Sequence, residues 1–568
     1  MSVEYWTTHS LDKLFPQSEM PARAAREIRL KAAGNESEDA QIVVRPTRTL
    51  TRARVSFTHL QTPGGSRIDA GQISGHWQWY TYVLRNPPHS KDPSSWLRDA
   101  PNFFPDAFVE DEEIRIASDW TQAMWVRIRI PAQQEPGEYH GRAMLCYETD
   151  DGERAEQTIP ISLTVWPFSL PGEKSFRHTE WFSARALATW YNLKEWSEEH
   201  WEWIEKCAMD MFDHHQDTIL TSFHDLVTVT EKSAGTWDFD FTQLDRWIEL
   251  FRKHGVTFIE CGHIAGQRAW GQAFIWRRFP VFDEAGREIE SYGPEQMDER
   301  DFAAPMERFL KGIYAHLEER FGLERLMQHI ADEPLADNMD SWVAISEQVK
   351  SWLPDGIPNI DAVICEELIG KVDIRVPQLQ EIKAEAPAAV DEELWSYTCL
   401  APQGHHPNRF LDFESIRNRI IFWINFSRNL GGYLHWGYNQ WHPWGPPRPK
   451  SVKLSPWTDA AAMTIYNTDW QPLPAGDPHI VYPGAESICS SIRWEVVRKG
   501  IEDIELLRML ENAAAAAPSN DPNRNAAAAL LDNIRTDLAC DSQNYTRSEE
   551  DLLSAREQAG DLLARLVS

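Results

Sequence analysis

The chain has 568 residues, 42% of them hydrophobic and 25% charged, which is the balance of a globular protein long enough for two or more domains. Its formal net charge of −31, without any cluster of Lys or Arg, argues against nucleic acid and anionic membranes as partners, because both bind through basic patches. No apolar run approaches the ~20 residues that span a bilayer. A neutral glycan is indifferent to this negative field and stays compatible with it.

The first residues and the cysteines bear on the cellular compartment. Met1-Ser-Val-Glu-Tyr-Trp6 has neither the basic nor the apolar region of a signal peptide. This favours a cytoplasmic location, although a mature secreted form would look the same. The seven cysteines are scattered and form no Cys-x-x-Cys pair, so we expect reduced and mostly buried thiols.

Residues 1–168 are predicted to form an antiparallel β-sandwich, an accessory domain. Short segments alternate apolar and polar residues with period two, and turn residues separate them about every ten positions. The clearest of these segments are 40–44, 54–58, 124–130, 141–147 and 158–165. Pro167, Pro171 and Gly172 then indicate a linker.

From 172 to 512 short apolar runs alternate with longer amphipathic stretches. The predicted strands are 176–182, 218–223, 257–261, 326–330, 360–365, 394–399, 432–436 and 480–482, and the predicted helices lie near 197–213, 242–254, 302–321, 338–352, 413–429 and 490–512. Eight strands alternating with helices predict a closed parallel (β/α)8 barrel of the TIM type. An open doubly wound sheet is the alternative, but no glycine-rich phosphate loop follows any strand. Residues 513–568 are predicted to be a C-terminal helical tail without chemistry.

Catalytic groups of such a barrel project from the carboxyl ends of its strands, so each strand end is a candidate site. The fourth strand closes on Asp332, Glu333 and Pro334, and the proline biases Glu333 towards an extended backbone. Two adjacent carboxylates repel, so the pKa of one should rise, and that acid can protonate a leaving oxygen while its neighbour stays ionised. The alternative without chemistry is that both acids cap the following helix or face solvent.

The adjacency of the two acids also restricts the mechanism. Conventional glycosidases place two carboxylates on opposite sides of the scissile bond, ~5–5.5 Å apart when configuration is retained. Adjacent acids serve one side of the sugar more naturally: one donates a proton, and the other orients a nucleophile that the substrate itself supplies. The pair therefore favours substrate-assisted hydrolysis.

Five stretches of the chain resemble the catalytic domain of glycoside hydrolase family 123, a group first described as a domain of unknown function. They are His329-Ile-Ala-Asp-Glu-Pro334, Leu394-Trp-Ser-Tyr-Thr-Cys399, Gly431-Gly-Tyr-Leu-His-Trp-Gly-Tyr-Asn439, Ile480-Val-Tyr-Pro-Gly484 and Ser491-Ile-Arg-Trp-Glu-Val-Val-Arg-Lys-Gly-Ile-Glu-Asp503. Each piece is short, but the combination in this order is specific and covers roughly 170–510. The β-rich N-terminal part is similar to the accessory sandwich of the family.

The resemblance implies an exo-acting β-N-acetylgalactosaminidase that retains configuration. By that resemblance Asp332 would hold the N–H of the 2-acetamido group, whose carbonyl oxygen attacks C1 and forms an oxazolinium intermediate. Glu333 would protonate the leaving oxygen and later deprotonate the incoming water. Loss of either group is expected to cost on the order of 10²–10⁴-fold in rate, the usual scale of general acid–base catalysis.

Other strand ends carry candidate substrate-binding residues. Tyr397 is a candidate donor to the acetamido oxygen, while Trp395 and Trp436 either wall the sugar or fill the barrel. The remaining candidates are His435, Tyr438, Asn439, Trp441, Glu180, His224 and His263. The chain carries 26 tryptophans, more than an average protein of this size, and flat aromatic rings suit the C–H faces of sugars.

No metal and no cofactor are expected. The histidine pairs His214-His215 and His405-His406 have no third ligand at helical spacing. His224-Asp225 resembles part of a catalytic triad, but no Gly-x-Ser-x-Gly motif accompanies it. Glu366-Glu367, at the end of the fifth strand, is a rival acid pair that would compete for the catalytic role or bind sugar hydroxyls.

Three functions remain open at the level of sequence. The first is the β-N-acetylgalactosaminidase that the resemblance implies. The second is a related barrel glycosidase for another sugar, in which Asp332 would need a different role. The third is a glycan-binding protein without catalysis, against which the intact pair of repelling acids argues.

Overall fold

The computed structural model describes residues 3–87, 90, 93–293, 297–363, 368–382, 392–441, 455–458, 460 and 473–567. The chain divides into two compact units, and the sequence of each is discontinuous. The sandwich unit comprises Met1–Phe176, Cys399–Asn429 and Gly437–Ser568. The barrel unit comprises Arg177–Thr398 and Leu430–Trp436.

The described N-terminal part of the sandwich unit forms two β-sheets. Its N-terminal strands are β1 (Val3–His9), β2 (Ile28–Gly34), β3 (Glu36–Pro46), β4 (Leu50–Phe57), β5 (Leu60–Gln61), β6 (Arg67–Ile68), β7 (Ile73–Val83), β8 (Asn102–Phe108), β9 (Glu113–Ile116), β10 (Gln122–Ile130), β11 (Gly137–Thr149) and β12 (Arg154–Ser169). One sheet has the order β1-β3-β10-β7-β8, and the other has the order β2-β12-β11-β4-β9 with β5 and β6 at its side. Every described pair is antiparallel except β2 with β12.

The two sheets bury one face each in a shared apolar core, which is the physical reason for the period-two pattern. Ile42 and Val126 from the first sheet are fully buried in the same cluster as Ile159 and Leu163 from the second. The antiparallel β-sandwich predicted from the sequence is therefore confirmed.

The barrel unit is built from short strands separated by helices. Its elements are β13 (Arg177–Glu180), α1 (Ala184–Tyr191), α2 (Glu198–Asp213), β14 (Thr218–Thr221), α3 (Phe223–Leu226), β15 (Thr228–Ser233), β16 (Thr236–Asp240), α4 (Thr242–Lys253), β17 (Phe258–Cys261), β18 (Ala265–Gln267), β19 (Phe274–Trp276), β20 (Val281–Phe282), α5 (Ala303–Phe321), β21 (Leu326–His329), α6 (Met339–Trp352), β22 (Asn359–Val363), β23 (Ile374–Pro377), β24 (Glu393–Leu394), β25 (Ser396–Tyr397) and β26 (Gly432–His435). Local chemistry explains the helix starts: the Ser197 hydroxyl accepts the N–H of His200 at the N-terminus of α2.

Parallel pairing brings eight strand segments into an all but closed ring. The order is β24-β23-β22-β21-β17-β14-β13-β26-β25, and every neighbouring pair is parallel. The end members β24 and β25 are consecutive parts of one segment, interrupted at Trp395, so the sheet returns to its own start. A parallel bridge between Gln378 and Tyr397 adds to this closure. The predicted barrel is confirmed.

The sandwich unit also holds the later helices of the chain. These elements are α7 (Ser415–Ser427), β27 (Tyr482–Pro483), β28 (Ile488–Cys489), α8 (Ile492–Ala516), α9 (Pro522–Asn533) and α10 (Glu549–Val567). The helical tail is confirmed. Within the described ranges, we find no helix with both the length and the apolar character that crossing a membrane requires.

A network of buried ion pairs joins α8 and α10 to β3 inside the sandwich unit. The Lys499 ammonium lies 2.7 Å from Glu36, 2.8 Å from Glu38 and 3.1 Å from Glu502. Arg556 pairs with both Glu36 and Glu38. Arg498 pairs with Asp39, and Arg419 with Asp503. Each cation in this network has carboxylate partners, which is the condition for burying charge without a large loss of free energy.

Two predicted strand assignments need correction. Residues 480–482 do not supply the eighth barrel strand, because β27 pairs antiparallel with β28 in a hairpin of the sandwich unit. The missing barrel strand is β23, whose sequence Ile-Arg-Val-Pro is only four residues long and follows β22 too closely for an intervening helix of usual length. The domain boundaries at 168, 172 and 512 stay predictions.

Candidate active site

The acid pair lies at the carboxyl end of β21, where the backbone is held from both sides. The carbonyl oxygen of Ile330 accepts the N–H groups of Ile264 and Ala265, at 3.2 and 2.9 Å. On the other side, the N–H of Glu333 donates to the carbonyl oxygen of Ala362 at 3.1 Å. The loops after β17 and β22 thereby fix the segment that carries Asp332 and Glu333.

Glu333 has a left-handed backbone, with φ of +48°. The expectation of an extended backbone before Pro334 was wrong. A non-glycine residue costs about 1–3 kcal/mol in this region, and a following proline restricts it further. Such strain persists where surrounding contacts enforce it, and it concentrates at functional sites.

Asp332 lines an open cavity of about 700 Å³ in the barrel unit. Its side chain is exposed to solvent in this cavity. Desolvation, followed by the neighbouring carboxyls of Glu333 and Asp361, raises the pKa of Asp332 to about 8 against the opposing charges of His329 and Arg277. The predicted repulsion within the acid pair is therefore present.

Glu333 is half-buried and receives a hydrogen bond from a tyrosine. The Tyr397 hydroxyl donates to Glu333 Oε1 at 2.5 Å. Desolvation raises the pKa of Glu333, while this hydrogen bond lowers it. In this structure the Tyr397 hydroxyl thus orients the second acid, and its predicted contact with an acetamido oxygen stays a prediction.

A buried histidine flanked by carboxylates lies directly below the acid pair. His329 Nε2 is 2.5 Å from Glu260 Oε1, and its Nδ1 is 3.4 Å from Asp361 Oδ1. Burial by itself would lower the pKa of His329, but the two carboxylates raise it to about 10. The resulting imidazolium lowers the pKa of Asp332 from three residues away. Sequence reasoning missed this trio; its only signal is polar residues within otherwise apolar strands.

A β-hairpin made by β18 and β19 forms one wall of the cavity and is tied to the acids. Gln267 donates from Nε2 to the carbonyl oxygens of Asp332 and Glu333, both at 3.3 Å. Its Oε1 accepts from Asn338 at 3.0 Å and from the N–H of Gly271 at 2.8 Å. The hairpin therefore cannot shift without moving the acid pair.

Three cavity residues of this hairpin were missed at the level of sequence: Gln267, Trp270 and Arg277. Trp270 is 64% exposed at the cavity rim, where its ring can contact a sugar face. The available signal was the connection 262–302 between β17 and α5, which far exceeds the usual two to six residues. Long connections at the carboxyl end of a barrel carry function.

Of the predicted binding residues in the barrel unit, His224 lines the same cavity as Asp332. His263 is buried edge-on to Trp181, 5.0 Å between ring centroids, and burial lowers its pKa well below the usual value. Glu180 and His435 are fully buried, and His435 Nδ1 lies 3.9 Å from Glu180 Oε2. Trp436 is half-buried and roughly parallel to the His435 ring.

Trp395 is 1% exposed, donates to Glu393 at 2.7 Å, and packs where a Gly432 side chain would stand. These contacts fit barrel filling, the alternative considered from sequence. Tyr438, Asn439 and Trp441 belong to the sandwich unit and are buried there. The Trp441 indole, for example, donates to the Val481 carbonyl oxygen at 2.9 Å. Their predicted contacts with substrate stay predictions.

The histidine pairs find structural partners. His214 Nδ1 is 2.8 Å from the Asp210 carbonyl oxygen, and His406 Nδ1 is 3.1 Å from the Ser542 hydroxyl. In the part of the chain that the structure describes, no group of three His, Cys, Asp or Glu side chains is arranged to hold a metal ion. The rival pair Glu366-Glu367 lies outside the described residues.

A parallel barrel with two adjacent acids at the end of its fourth strand, beside an open cavity rimmed by an aromatic ring, is the arrangement of a barrel glycoside hydrolase. The description "Glycoside hydrolase 123, catalytic domain" matches residues 181–510, and "Glycoside hydrolase 123 N-terminal domain" matches residues 8–146. The catalytic-domain match alone covers more than half of the chain. The chain belongs to glycoside hydrolase family 123, which confirms the resemblance and the prediction of an enzyme.

Solved structures agree on the fold. A family 123 glycoside hydrolase from Clostridium perfringens, described for glycolipid glycan hydrolysis, is 17% identical with a TM-score of 0.73, and the match covers 100% of this chain and 98% of that chain. A β-glucuronidase from Ruminococcus gnavus is 8% identical with a TM-score of 0.29, covering 82% of this chain and 65% of that one. The second match is too distant to carry an argument. No curated protein matches this chain in sequence.

Proposed function

We propose that this enzyme is a retaining exo-glycosidase that removes a terminal β-linked 2-acetamido sugar, preferably N-acetylgalactosamine, by substrate-assisted catalysis. The observation that carries the proposal is the adjacency of Asp332 and Glu333 at the end of β21, one lining the cavity and the other held by Tyr397. Neighbouring carboxyls on one strand end serve one side of a sugar, so the nucleophile has to come from the substrate. The glycolipid glycans of the Clostridium perfringens relative support a glycoconjugate terminus as the substrate.

The acid pair works with a single shared proton. Desolvation raises the pKa of both groups, and the charge of Glu333 adds to the rise at Asp332, so protonation of one member of the pair is favoured. When the acetamido N–H binds, it favours the ionised form of Asp332 and leaves the proton on Glu333. Asp332 then stabilises the positive charge that develops on the acetamido group, and Glu333 protonates the departing oxygen.

The second half of the reaction returns the enzyme to its starting state. The acetamido oxygen has displaced the leaving group at C1, so the sugar carries a cyclic oxazolinium. Glu333, now ionised, removes a proton from water as the water oxygen bonds to C1 and the bond from C1 to the acetamido oxygen breaks. Two inversions at C1 give overall retention.

Aryl glycosides test the proposal directly. Purified enzyme is assayed on aryl β-GalNAc, β-GlcNAc, β-galactoside and β-glucoside, and NMR identifies the first anomer released. We expect cleavage of the 2-acetamido sugars, β-anomer first, and inhibition by a thiazoline mimic of the oxazolinium. Activity confined to plain β-galactosides or β-glucosides would reject substrate assistance.

Variants assign the roles of the two acids. Asp332→Asn and Glu333→Gln should each lower kcat on an aryl β-GalNAc with a poor leaving group by on the order of 10²–10⁴-fold. For Glu333→Gln the loss should shrink with a dinitrophenyl leaving group, which needs little protonation, whereas for Asp332→Asn it should persist. Asp337→Asn, which removes an exposed carboxyl from the same loop, is the matched control. Equal losses with all leaving groups for both variants would refute the assignment.

A further inference from the structure

The cavity beside Asp332 holds three arginines in a chain whose net charge is −31. Arg268 donates from Nε to Glu299 at 2.8 Å, so its charge is compensated. Arg278 donates to the Met297 carbonyl oxygen and lies over the Phe302 ring. The third is Arg277. Among the described residues, no carboxylate and no carbonyl oxygen accepts a hydrogen bond from its guanidinium.

The carboxylates of the same cavity do not compensate Arg277 either. Glu299 is engaged by Arg268, and Asp225 lies 3.7 Å from Arg185. Asp332 is close enough to influence Arg277 electrostatically, but it forms no ion pair with it within 4 Å. A guanidinium with five donors thus faces a cavity whose acids are committed elsewhere or belong to the catalytic pair.

The hairpin backbone presents the exposed Arg277 side chain to the cavity. The N–H of Arg277 donates to the Ile264 carbonyl oxygen at 2.8 Å and extends the hairpin ladder. Its Nε lies over Gly266, where an added Cβ would approach to 3.4 Å, so the glycine leaves the side chain room to lie flat on the hairpin. Since Gln267 ties the same hairpin to Asp332 and Glu333, the backbone of Arg277 belongs to the segment that is anchored to the acids.

We propose that Arg277 binds an oxyanion of the substrate, either a sulfate ester on the cleaved sugar or the carboxylate of an adjoining sugar, and that acidic glycans are therefore preferred over neutral ones. The inference rests on the proposed function and names its substrate class. A planar guanidinium matches both oxyanions with two parallel hydrogen bonds. The negative field of the rest of the chain repels such ligands, so a local cation at the site is what an acidic substrate requires.

The test compares one neutral and two acidic substrates: an aryl β-GalNAc, its 6-O-sulfate, and a β-GalNAc linked to glucuronic acid. Release of the terminal sugar is followed by chromatography for all three. We expect kcat/KM on one of the acidic substrates to exceed that on the neutral one. The acidic substrate that is favoured then identifies whether sulfate or carboxylate is the natural oxyanion.

Arg277→Met should lower the acidic-to-neutral ratio of kcat/KM by roughly 10- to 100-fold, mainly through KM, because a charge-assisted hydrogen bond is lost. Arg277→Lys should restore part of the ratio, since it keeps the charge without the fork geometry. The matched control Arg268→Met removes a guanidinium that Glu299 already compensates and should leave the ratio within about threefold.

The outcomes separate this inference from the proposed function. If all three β-GalNAc substrates are cleaved equally well, or Arg277→Met lowers all rates by one factor, the oxyanion proposal is overturned while the proposed function stands. If none is cleaved, and aryl β-GlcNAc is not cleaved either, the proposed function fails. Calorimetric titration with GalNAc 6-sulfate, glucuronic acid and neutral GalNAc then tests the inference. Binding of an acidic sugar that is stronger than binding of neutral GalNAc, and that Arg277→Met abolishes, supports it. If the acidic sugars bind no more strongly than neutral GalNAc, or do not bind, the inference is overturned.

Discussion

The ion-pair network around Lys499 in the sandwich unit and the acid pair of the barrel unit differ in how their charges are compensated. Lys499 and Arg556 each pair with two or more carboxylates, and each of these carboxylates has a cation. At the end of β21 two carboxyls are adjacent in sequence, and the cation of His329 is already shared by two other carboxylates. Paired charges stabilise a fold, whereas an uncompensated charge lowers the stability of the folded protein unless a ligand supplies the missing partner. The difference separates structural ionisable groups from functional ones.

The largest effect on stability is expected in the sandwich unit. Lys499→Met leaves Glu36 and Glu38 without one of their buried partners and should lower the free energy of unfolding by about 3–5 kcal/mol. Urea denaturation measures this change. Lys311→Met, which breaks an exposed pair with Glu307 on α5, is the control and should cost less than about 0.5 kcal/mol. Similar small losses in both variants would contradict the structural role of the network.

In the barrel unit, removal of the Tyr397 hydroxyl should lower the activity and shift its pH dependence. Tyr397→Phe removes the donor to Glu333, so the pKa of Glu333 rises and the limb of the kcat/KM profile that Glu333 governs moves to higher pH. Activity at the optimum should fall by roughly 10- to 100-fold, the size of a hydrogen bond to a charged group. Tyr433→Phe, which loses a buried hydroxyl bonded to Thr398, is the control. If both variants have the same pH profile, Tyr397 does not control the pKa of Glu333.

The smallest expected effect is a rise in melting temperature, whereas most substitutions lower it. The pKa of Asp332 is raised in the folded protein, so its contribution to stability is present when it is protonated and is lost as pH rises towards and through about 8. Asp332→Asn is neutral throughout and should melt roughly 1–3 °C higher than the wild type at pH 9, a small gain because the carboxyl is open to solvent. At pH 4 the two melting temperatures should coincide. A lower melting temperature for the variant at pH 9 would show that Asp332 is stabilised by a partner.

Much of this architecture could be predicted from the sequence because periodicity reports burial. The strand that ends in Asp332 was placed correctly, since an apolar run closed by acids and a proline has few other interpretations. β23 was not predicted because four residues that end in a proline are too few to show the alternation of a strand. Segment 480–482 was wrongly assigned to the barrel because an apolar run followed by a long helix has the same sequence pattern in a barrel strand and in a hairpin strand.

The candidate site was only partly predictable, for a different physical reason. Asp332 and Glu333 are neighbours in sequence, so their proximity is guaranteed by covalent bonds. His329, Glu260 and Asp361 come from three strands, and only the folded register brings them together. Arg277 lies on a long loop, where no periodicity constrains the interpretation. Glu180 and His435, which were named from strand ends, are buried 3.9 Å apart, and their predicted contact with substrate stays a prediction.

The left-handed turn at Glu333 has a consequence for how this sequence can change over time. Glycine would relax the backbone there, and asparagine would tolerate it better than glutamate does. Glu333→Gly should therefore stabilise the folded protein while it removes the carboxyl that the proposed reaction uses. Stability and the proposed activity make opposite demands on this one position.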